Sequence, residues 1–342
     1  MTSKKYTHAV FIGRFQPLHN GHLKVIETAL KIADNLIIVI GSADQPRTPK
    51  NPWTAMERTA MIMGESRDDL HRIRIVKVRD QKYNDQKWAA SIQQAVERAV
   101  GDMSSDQSFC IIGHNKDESS YYLKMFPQWT LVGHEMDEDI DATDLRSLYF
   151  ERKNLKFLQS LLSPTVYSYL EQFRKTDDFQ VLTREYEFLQ RYKNDWAVAP
   201  YPPTFVTTDA VVVQSGHILL VQRAGYGEGQ WALPGGFLNP GEMMVDGMIR
   251  ELREETKLKV PAPVLKGSIK ASKIFDHPTR SLRGRTITNA FLIELPPGEL
   301  PKVKGSSDAR NAEWFTLSEA LNMSDQLFED HHSIIEYFLG RV

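Results

Sequence analysis

The chain has 342 residues, 41% of them hydrophobic and 10% aromatic, enough to core two domains of ordinary size. Its 42 basic and 44 acidic residues leave a net charge of −2, so no broad basic field argues for nucleic acid, and no basic amphipathic segment argues for a membrane surface. The single cysteine, Cys110, excludes an intrachain disulfide. No apolar run approaches the roughly 20 residues that span a bilayer. The N-terminus lacks a signal-peptide core, so a cytoplasmic protein is expected.

Taken in order, residues 6–12 form a short apolar run ending at Gly13 and predict a buried strand. Residues 23–33 have helical periodicity, and 35–40 predict a second strand ending at Gly41. A helix over 53–63, a strand over 73–78 and a helix over 88–100 follow, and a strand over 109–112, holding Cys110, ends at Gly113. Strands alternating with helices predict a parallel sheet that binds ligand outside the carboxyl ends of its strands, where the three glycine exits lie. Residues 155–173 read as one apolar helix, and 176–196 as a polar, aromatic linking helix. Three prolines within 197–205 predict an extended connector. The expected division is therefore 1–180, a linker over 181–203, and 204–342. The last part carries strands over 209–213, 217–222 and 286–295, a helix between the second and third of these, and a helical segment near 317–340.

The segment GRFQPLHNGH (13–22) joins the first strand to the first helix. Gly13 and Gly21 let the backbone approach a phosphate, and a helix N-terminus offers free N–H groups and partial positive charge. His19 and His22 are three apart, so one helical turn points both imidazoles the same way. There they can donate to a triphosphate as charge develops on a leaving pyrophosphate. Two histidines near a turn are also found as ordinary surface residues; the whole ten-residue segment, placed between strand and helix, favours the functional reading. It resembles the (H/T)xGH signature of nucleotidylyltransferases, which brings Arg14 and Phe15 into the nucleotide site. In that family the attacking group is a phosphate oxygen of the second substrate, so catalysis is positioning and charge stabilisation.

Further motifs extend the resemblance. IDATDLR (140–146) is similar to the family's Ser/Thr-x-x-Arg at a helix start, implying Thr143 as N-cap and Arg146 turned toward the phosphates; Asp141 and Ala142 depart from the family's usual Ser or Gly. GSADQPRTPKNPWTAMER (41–58) resembles the loop of archaeal-type nicotinamide mononucleotide (NMN) adenylyltransferases, where a basic residue reaches the phosphates. Lys50 matches it, and Arg47 competes. YNDQKW (83–88) resembles their nicotinamide pocket, with Asn84 hydrogen-bonding and Trp88 stacking on the cationic ring; the other reading of Trp88 is a core tryptophan. GHNKDESSYYL (113–123), with Gly113, implies lining of the ATP site. Other HxGH enzymes make CDP-alcohols or dephospho-coenzyme A, and the 83–88 segment favours nicotinamide.

In GFLNPGEMMVDGMIRELREETKL (236–258), Glu251, Glu254 and Glu255 stand at i, i+3 and i+4, so a helix puts them on one face. Such carboxylates repel unless a cation sits between them, and hard oxygen ligands suit Mg²⁺ or Mn²⁺. A solvated acidic face is the competing reading, but the upstream Gly235-Gly236 turn and Glu242 stand at the spacing of the Nudix box, which this stretch resembles. Lys257 replaces the family's glycine. At a left-handed helix cap that costs about 1 kcal/mol. GQWALPGGF (229–237) is also similar to the family, with Trp231 packing and the Gly236 carbonyl implied as an extra metal ligand. Arg250 can pair with Glu254 at i+4. The resemblance leaves Glu251 as metal ligand or general base, with Glu299 and Asp308 as loop carboxylates able to take the base role. FDHPTRSLRGRTIT (275–288) offers Arg280, Arg283 and Arg285 to a terminal ribose phosphate, or forms a solvated basic loop; with SSDARNAEWF (306–315) it resembles ADP-ribose-type Nudix domains.

Together the halves resemble the bacterial bifunctional adenylyltransferase/Nudix hydrolases of NAD metabolism. The resemblance implies an α/β chain: an N-terminal Rossmann-like nucleotidylyltransferase domain with a parallel sheet, and a C-terminal α/β/α Nudix sandwich. It implies adenylyl transfer from ATP to NMN giving NAD and pyrophosphate, and metal-dependent hydrolysis of ADP-ribose to AMP and ribose 5-phosphate. Mg²⁺, or Mn²⁺, would be the cofactor and small nucleotides the partners, with neither nucleic acid nor membrane, in a homo-oligomer of unspecified order. The alternative is a C-terminal domain that senses ADP-ribose without cleaving it; the presence of all three box glutamates favours hydrolysis.

Overall fold

A computed structural model describes residues 4–101, 106–113, 118–133, 141–151 and 155–340. Two compact units divide the chain, Met1–Arg184 and Glu185–Val342.

Five parallel strands form the first unit's sheet: β1 (Tyr6–Gly13), β2 (Ala33–Ile40), β3 (Ile73–Lys77), β4 (Phe109–Gly113) and β5 (Thr130–Gly133), in the order β3-β2-β1-β4-β5. The order reverses at β1, the switch point where doubly wound sheets open a crevice. Helices α1 (Asn20–Ile32), α2 (Ala55–Glu65) and α3 (Asp85–Val100) supply crossovers. The strands are apolar on both faces, as a sheet covered on both sides requires. Val10, Ile12, Ile37, Val39 and Ile111 pack against Ile92 and Val96 of α3 and against Phe126. Caps set the helix starts more sharply than periodicity does: Thr54 and Glu57 form a capping box, so α2 begins at Ala55 and leaves Trp53 buried ahead of it.

After α4 (Ala142–Phe150), the stretch expected as one helix over 155–173 divides into a 3₁₀ segment, Leu155–Ser160, and α5 (Pro164–Phe173). Ser163 accepts the Val166 N–H and Pro164 occupies the first turn, so a new N-terminus forms where the period alone showed none. Helix α6 (Asp177–Trp196) contains the division between units. Near its start Phe179 sits among Tyr149, Phe150 and Phe173. Within the second unit Phe188 stacks on Tyr226 at 5.4 Å, and Tyr192 and Trp196 meet Phe205.

The second unit holds a mixed sheet. Strands β6 (Thr204–Gln214), β7 (His217–Arg223), β10 (Ile269–Phe275), β11 (Arg285–Glu294) and β12 (Ala309–Thr316) run in the order β10-β11-β6-β7-β12, while the short β8 (Trp231–Ala232) pairs with β7 and β9 (Gly235–Phe237) with β6. Of the pairs on the main path, β11–β6 is parallel and the rest are antiparallel. Helix α7 (Met244–Thr256) lays Met248, Ile249 and Leu252 on Ala210, Val212, Leu219 and Phe291. Helices α8 (Ala262–Gly267), α9 (Leu317–Asn322) and α10 (His331–Leu339) complete it. The helical segment expected near 317–340 is thus two helices. Between them Glu329 adopts a left-handed φ of 47°, which no helix continues through. Among the described residues no helix is long and apolar enough to cross a membrane.

Candidate active sites

In the first unit the candidate residues gather where β1 and β2 end. Gly13 closes β1, and a Cβ there would lie 2.8 Å from the Phe15 ring, so the glycine makes room for that ring to fold back. Phe15 is buried in a left-handed conformation, and the Gln16–Pro17 peptide is cis. His19 is the N-cap of α1, and its backbone N–H donates to His22 Nδ1 at 3.3 Å. The two imidazole centroids are 3.7 Å apart. Burial first, then His19 and Arg14, hold the His22 pKa well below its ordinary value, so its ring is neutral and its Nε2 carries the proton. Gly21 is buried in the first turn of α1.

Arg146 is buried and donates to the Gln16 carbonyl at 2.7 Å and to Thr143 Oγ1 at 3.2 Å. Thr143 is not the N-cap that the motif implied. Asp141 caps α4, its carboxylate accepting the Thr143 N–H at 2.6 Å, a shorter bond than a hydroxyl ordinarily makes there. Lys50 is pushed down to about 8 by burial, then by the positive charges of Arg14 and Lys82, with Arg146 contributing. These cations therefore share one neighbourhood. Arg47 is engaged elsewhere: it forks onto Glu57 at 2.6 and 2.9 Å and reaches Asp178 at 2.9 Å. Asn84 caps α3, its oxygen accepting the Lys87 N–H at 2.9 Å, so its exposed amide nitrogen is what remains for a ligand. Trp88 is half-buried at the margin of the core, edge-on to Tyr122 at 6.1 Å. Gly113 ends β4 against Leu123; residues 114–117 of the same motif, and Ile140, lie outside the described residues.

Sequence reasoning missed Arg58. Its guanidinium is buried and donates to the carbonyls of Arg14 and Gly41 at 2.7 Å and of Ser42 at 2.9 Å, tying together the segments that leave β1 and β2. The available signal was an arginine on the apolar face of α2, beside Ala55, Met61 and Ile62.

In the second unit α7 carries the acidic box, and the glycine turn lies against it. A Cβ on Gly235 would stand 2.2 Å from the Thr208 carbonyl oxygen, and one on Gly236 would stand 2.6 Å from the Glu251 carboxylate. Close approach to backbone requires glycine at 235, whereas a side chain at 236 would displace the Glu251 carboxylate. Glu255 is 3% exposed and accepts the Gly235 N–H at 3.0 Å. Burial pushes its carboxyl up to about 8, with Asp308 and Glu251 adding to the rise. Burial also raises Glu251. Arg250 binds Glu242 at 2.8 and 2.9 Å and Glu251 at 2.7 Å, whereas the expected Glu254 contact is the longest, at 3.3 Å. Glu242, held by Arg250 and the Asn239 N–H, is drawn down to about 2.

The three box glutamates have different surroundings. Glu251 faces a cavity of about 240 Å³, Glu255 lies beneath the glycine turn, and Glu254 borders an outward groove with Arg253 and Lys257. Among the described residues no three His, Cys, Asp or Glu side chains are drawn together as a metal-ligand group. Arg223 and Arg283 line the same cavity as Glu251 and Asp308, with their guanidiniums 4.1 and 6.0 Å from the Phe328 ring. Arg223 was not anticipated; its signal was a cation ending an otherwise apolar strand. Arg280 also lines the cavity, but is locked to the buried Asp330 at 2.9 and 3.0 Å. Arg285 does not line the cavity, because it is turned onto the Asp276 carbonyl. Of the two loop carboxylates, Asp308 lines the cavity and Glu299 does not. Trp231 packs edge-on against Phe315, and Lys257 closes α7 in the left-handed conformation, at φ 52°.

A nucleotide-type α/β unit followed by a Nudix-type unit is the class that this fold and these sites define. Residues 10–160 match the Cytidylyltransferase-like family and residues 203–338 match the NUDIX domain family. A nicotinamide/nicotinic acid mononucleotide adenylyltransferase of Acinetobacter baylyi is 40% identical over 184 residues, covering 53% of this chain and 94% of the relative. An ADP-ribose pyrophosphatase of Methanocaldococcus jannaschii is 33% identical over 135 residues, 39% of this chain and 72% of the relative. The crystal structure of a bifunctional NMN adenylyltransferase/ADP ribose pyrophosphatase from Francisella tularensis, complexed with AMP and a Mn ion, superposes with a TM-score of 0.90 and 35% identity over 98% of this chain and 99% of that one. The chain belongs to this family of bifunctional NMN adenylyltransferase/ADP-ribose pyrophosphatases.

Proposed function

We propose that the chain carries two reactions of NAD metabolism at separate sites: adenylyl transfer from ATP to NMN, giving NAD and pyrophosphate, and hydrolysis of ADP-ribose to AMP and ribose 5-phosphate. The adenylyltransferase domain is assigned to 1–180, the linker to 181–203 and the hydrolase domain to 204–342. The observation that carries the reading is the charge of the second cavity's lining, which brings Glu251 and Asp308 together with Arg223 and Arg283. Such a cavity holds a diphosphate between guanidinium donors and a cation.

At the first site Gly13, Arg14, Phe15, Gly21 and Gly113 shape the nucleotide bed. Lys50, Arg14 and Arg146 supply positive charge to the triphosphate. His19 and His22 donate hydrogen bonds as the pyrophosphate leaves, and Asn84 and Trp88 receive the nicotinamide. Thr143 acts through Arg146, which it hydrogen-bonds. At the second site the donors are all oxygen, and Glu251 and Glu255 are pushed toward protonation by burial and by neighbouring carboxylates, a penalty that a divalent cation relieves. Glu251, Glu254, Glu255 and the Gly236 carbonyl are the groups that would hold it, with Mg²⁺ the proposed ion and Mn²⁺ the other candidate. When bound, it would lower the pKa of water and neutralise phosphate charge. Arg223 and Arg283 orient the diphosphate, Arg250 positions Glu251, and Asp308 is the loop carboxylate placed to take a proton from water.

The test is to incubate the protein with ADP-ribose and Mg²⁺, follow AMP release, and run Glu255→Gln alongside. AMP release that falls by about 10- to 100-fold or more in the variant supports a metal-dependent hydrolase. A protein that makes NAD but releases no AMP would instead support an ADP-ribose-sensing domain, and a binding titration with ADP-ribose would decide it.

A further inference from the structure

Asp209 and His331 both line the hydrolase cavity, and neither has a role in the reaction described above. Both are 5% exposed. The Leu233 N–H donates to His331 Nδ1 at 2.9 Å, so that nitrogen is an acceptor and the ring proton is fixed on Nε2. On the other side, Thr288 donates its hydroxyl to Asp209 Oδ2 at 2.5 Å. This leaves Asp209 Oδ1 facing His331 Nε2 across 3.9 Å. The gap is too long for a direct hydrogen bond, but one oxygen seated at its mouth, off the line joining the two atoms, stands about 2.8 Å from each. That oxygen must accept from Nε2–H and donate to a carboxylate. A phosphate oxygen has no proton for Asp209, and an ammonium group has no lone pair for Nε2–H. A hydroxyl has both.

We propose that Asp209 and His331 read a ribosyl hydroxyl of the nucleoside diphosphate substrate, taking it into this gap. The inference rests on the hydrolase-site reading and names what that site selects: a sugar that presents a free hydroxyl to Asp209 and His331. The hydroxyl comes from either the adenosine ribose or the distal ribose, and the two are separable by experiment. Crowding keeps the pair in place, since Asp209 lies so near β9 that a Cβ on Gly235 would stand 2.6 Å from its carboxylate.

The experiment is a calorimetric titration, without metal, of ADP-ribose and two analogues, one deoxygenated in the adenosine ribose and one in the distal ribose. It uses the full chain, Asp209→Asn and His331→Asn. The second variant keeps an acceptor near the Nδ1 position for the Leu233 N–H while deleting Nε2–H, so its fold is protected. The unsubstituted chain should bind one analogue roughly 10- to 100-fold more weakly than ADP-ribose, the cost of leaving buried polar groups unpaired. In both variants that ratio should fall toward one, and the analogue that shows it identifies the ribose. Equal binding of all three ligands by the unsubstituted chain overturns the proposal, since water then serves the gap, as does a ratio that survives both substitutions. AMP release with metal, measured in parallel, keeps the two readings apart. Discrimination without AMP release would retain the hydroxyl-reading pair and reject hydrolysis; AMP release without discrimination would do the reverse.

Discussion

Lys50 stands among Arg14, Lys82 and Arg146 with little solvent to shield it, and its pKa falls to about 8. A lysine with a lowered pKa loses its charge as pH rises through that value. The free protein should therefore hold phosphate less well at pH 9 than at pH 7, and KM for ATP in NAD synthesis should rise severalfold over that interval. Lys50→Arg should flatten the rise, because a guanidinium stays charged throughout; a KM that climbs equally in the variant would remove Lys50 from the phosphate site. At this scale the sequence was most legible where spacing is fixed by geometry. Spacing located the elements, the start of α1 for His19 and His22 and α7 for Glu251, Glu254 and Glu255, but not how the carboxylates divide between cavity, groove and glycine turn. Arg58 and Arg223 were not legible, because an arginine's role depends on which carbonyls or rings the fold places around it. Thr143 was misplaced by a neighbour: Asp141, two residues earlier, is an equally good cap, and only the backbone shows where the helix starts.

Among the elements, α7 shows how a departure from a family pattern is tolerated. Lys257 takes the left-handed C-cap conformation, donating its N–H to the Arg253 carbonyl at 3.1 Å, so the helix ends where a glycine would end it. Lys257→Gly should stabilise the second unit by about 1 kcal/mol. For a unit of this size that is a rise of about 2–4 °C in its thermal midpoint. Scanning calorimetry at low scan rate checks this; an unchanged or lower midpoint would show that lysine contacts along the chain offset the backbone strain. Strands β1, β2 and β4 were readable because continuous apolar runs survive burial on both faces, and β3 by its alternation. The shorter β5, β8 and β9 were not, since two to four residues show no alternation. The breaks at Pro164 and Glu329 were hidden because apolar periodicity continues across each, although the chain does not.

For the whole molecule, two reaction sites in two units, each with its own core, should fail independently. His19→Ala should abolish NAD synthesis and spare AMP release from ADP-ribose, and Glu255→Gln should do the opposite. Loss of both activities in either variant would contradict independent sites. The two-part organisation was legible from motifs and from the proline-rich stretch at 197–205. The first unit ends at Arg184, close to the expected 180 and inside a regular helix. That position bears on any attempt to produce the halves as separate polypeptides. A gene split at the prolines would leave Phe188, Tyr192 and Trp196 with the first product. The second would begin with the rings of Tyr226 and Phe205 stripped of their neighbours, and such a fragment would be prone to precipitate even though it carries the whole NUDIX match. A split after Arg184 would keep those aromatic neighbours together and leave Phe179 with its own cluster in the first product, so the later part of the linking helix belongs with the hydrolase.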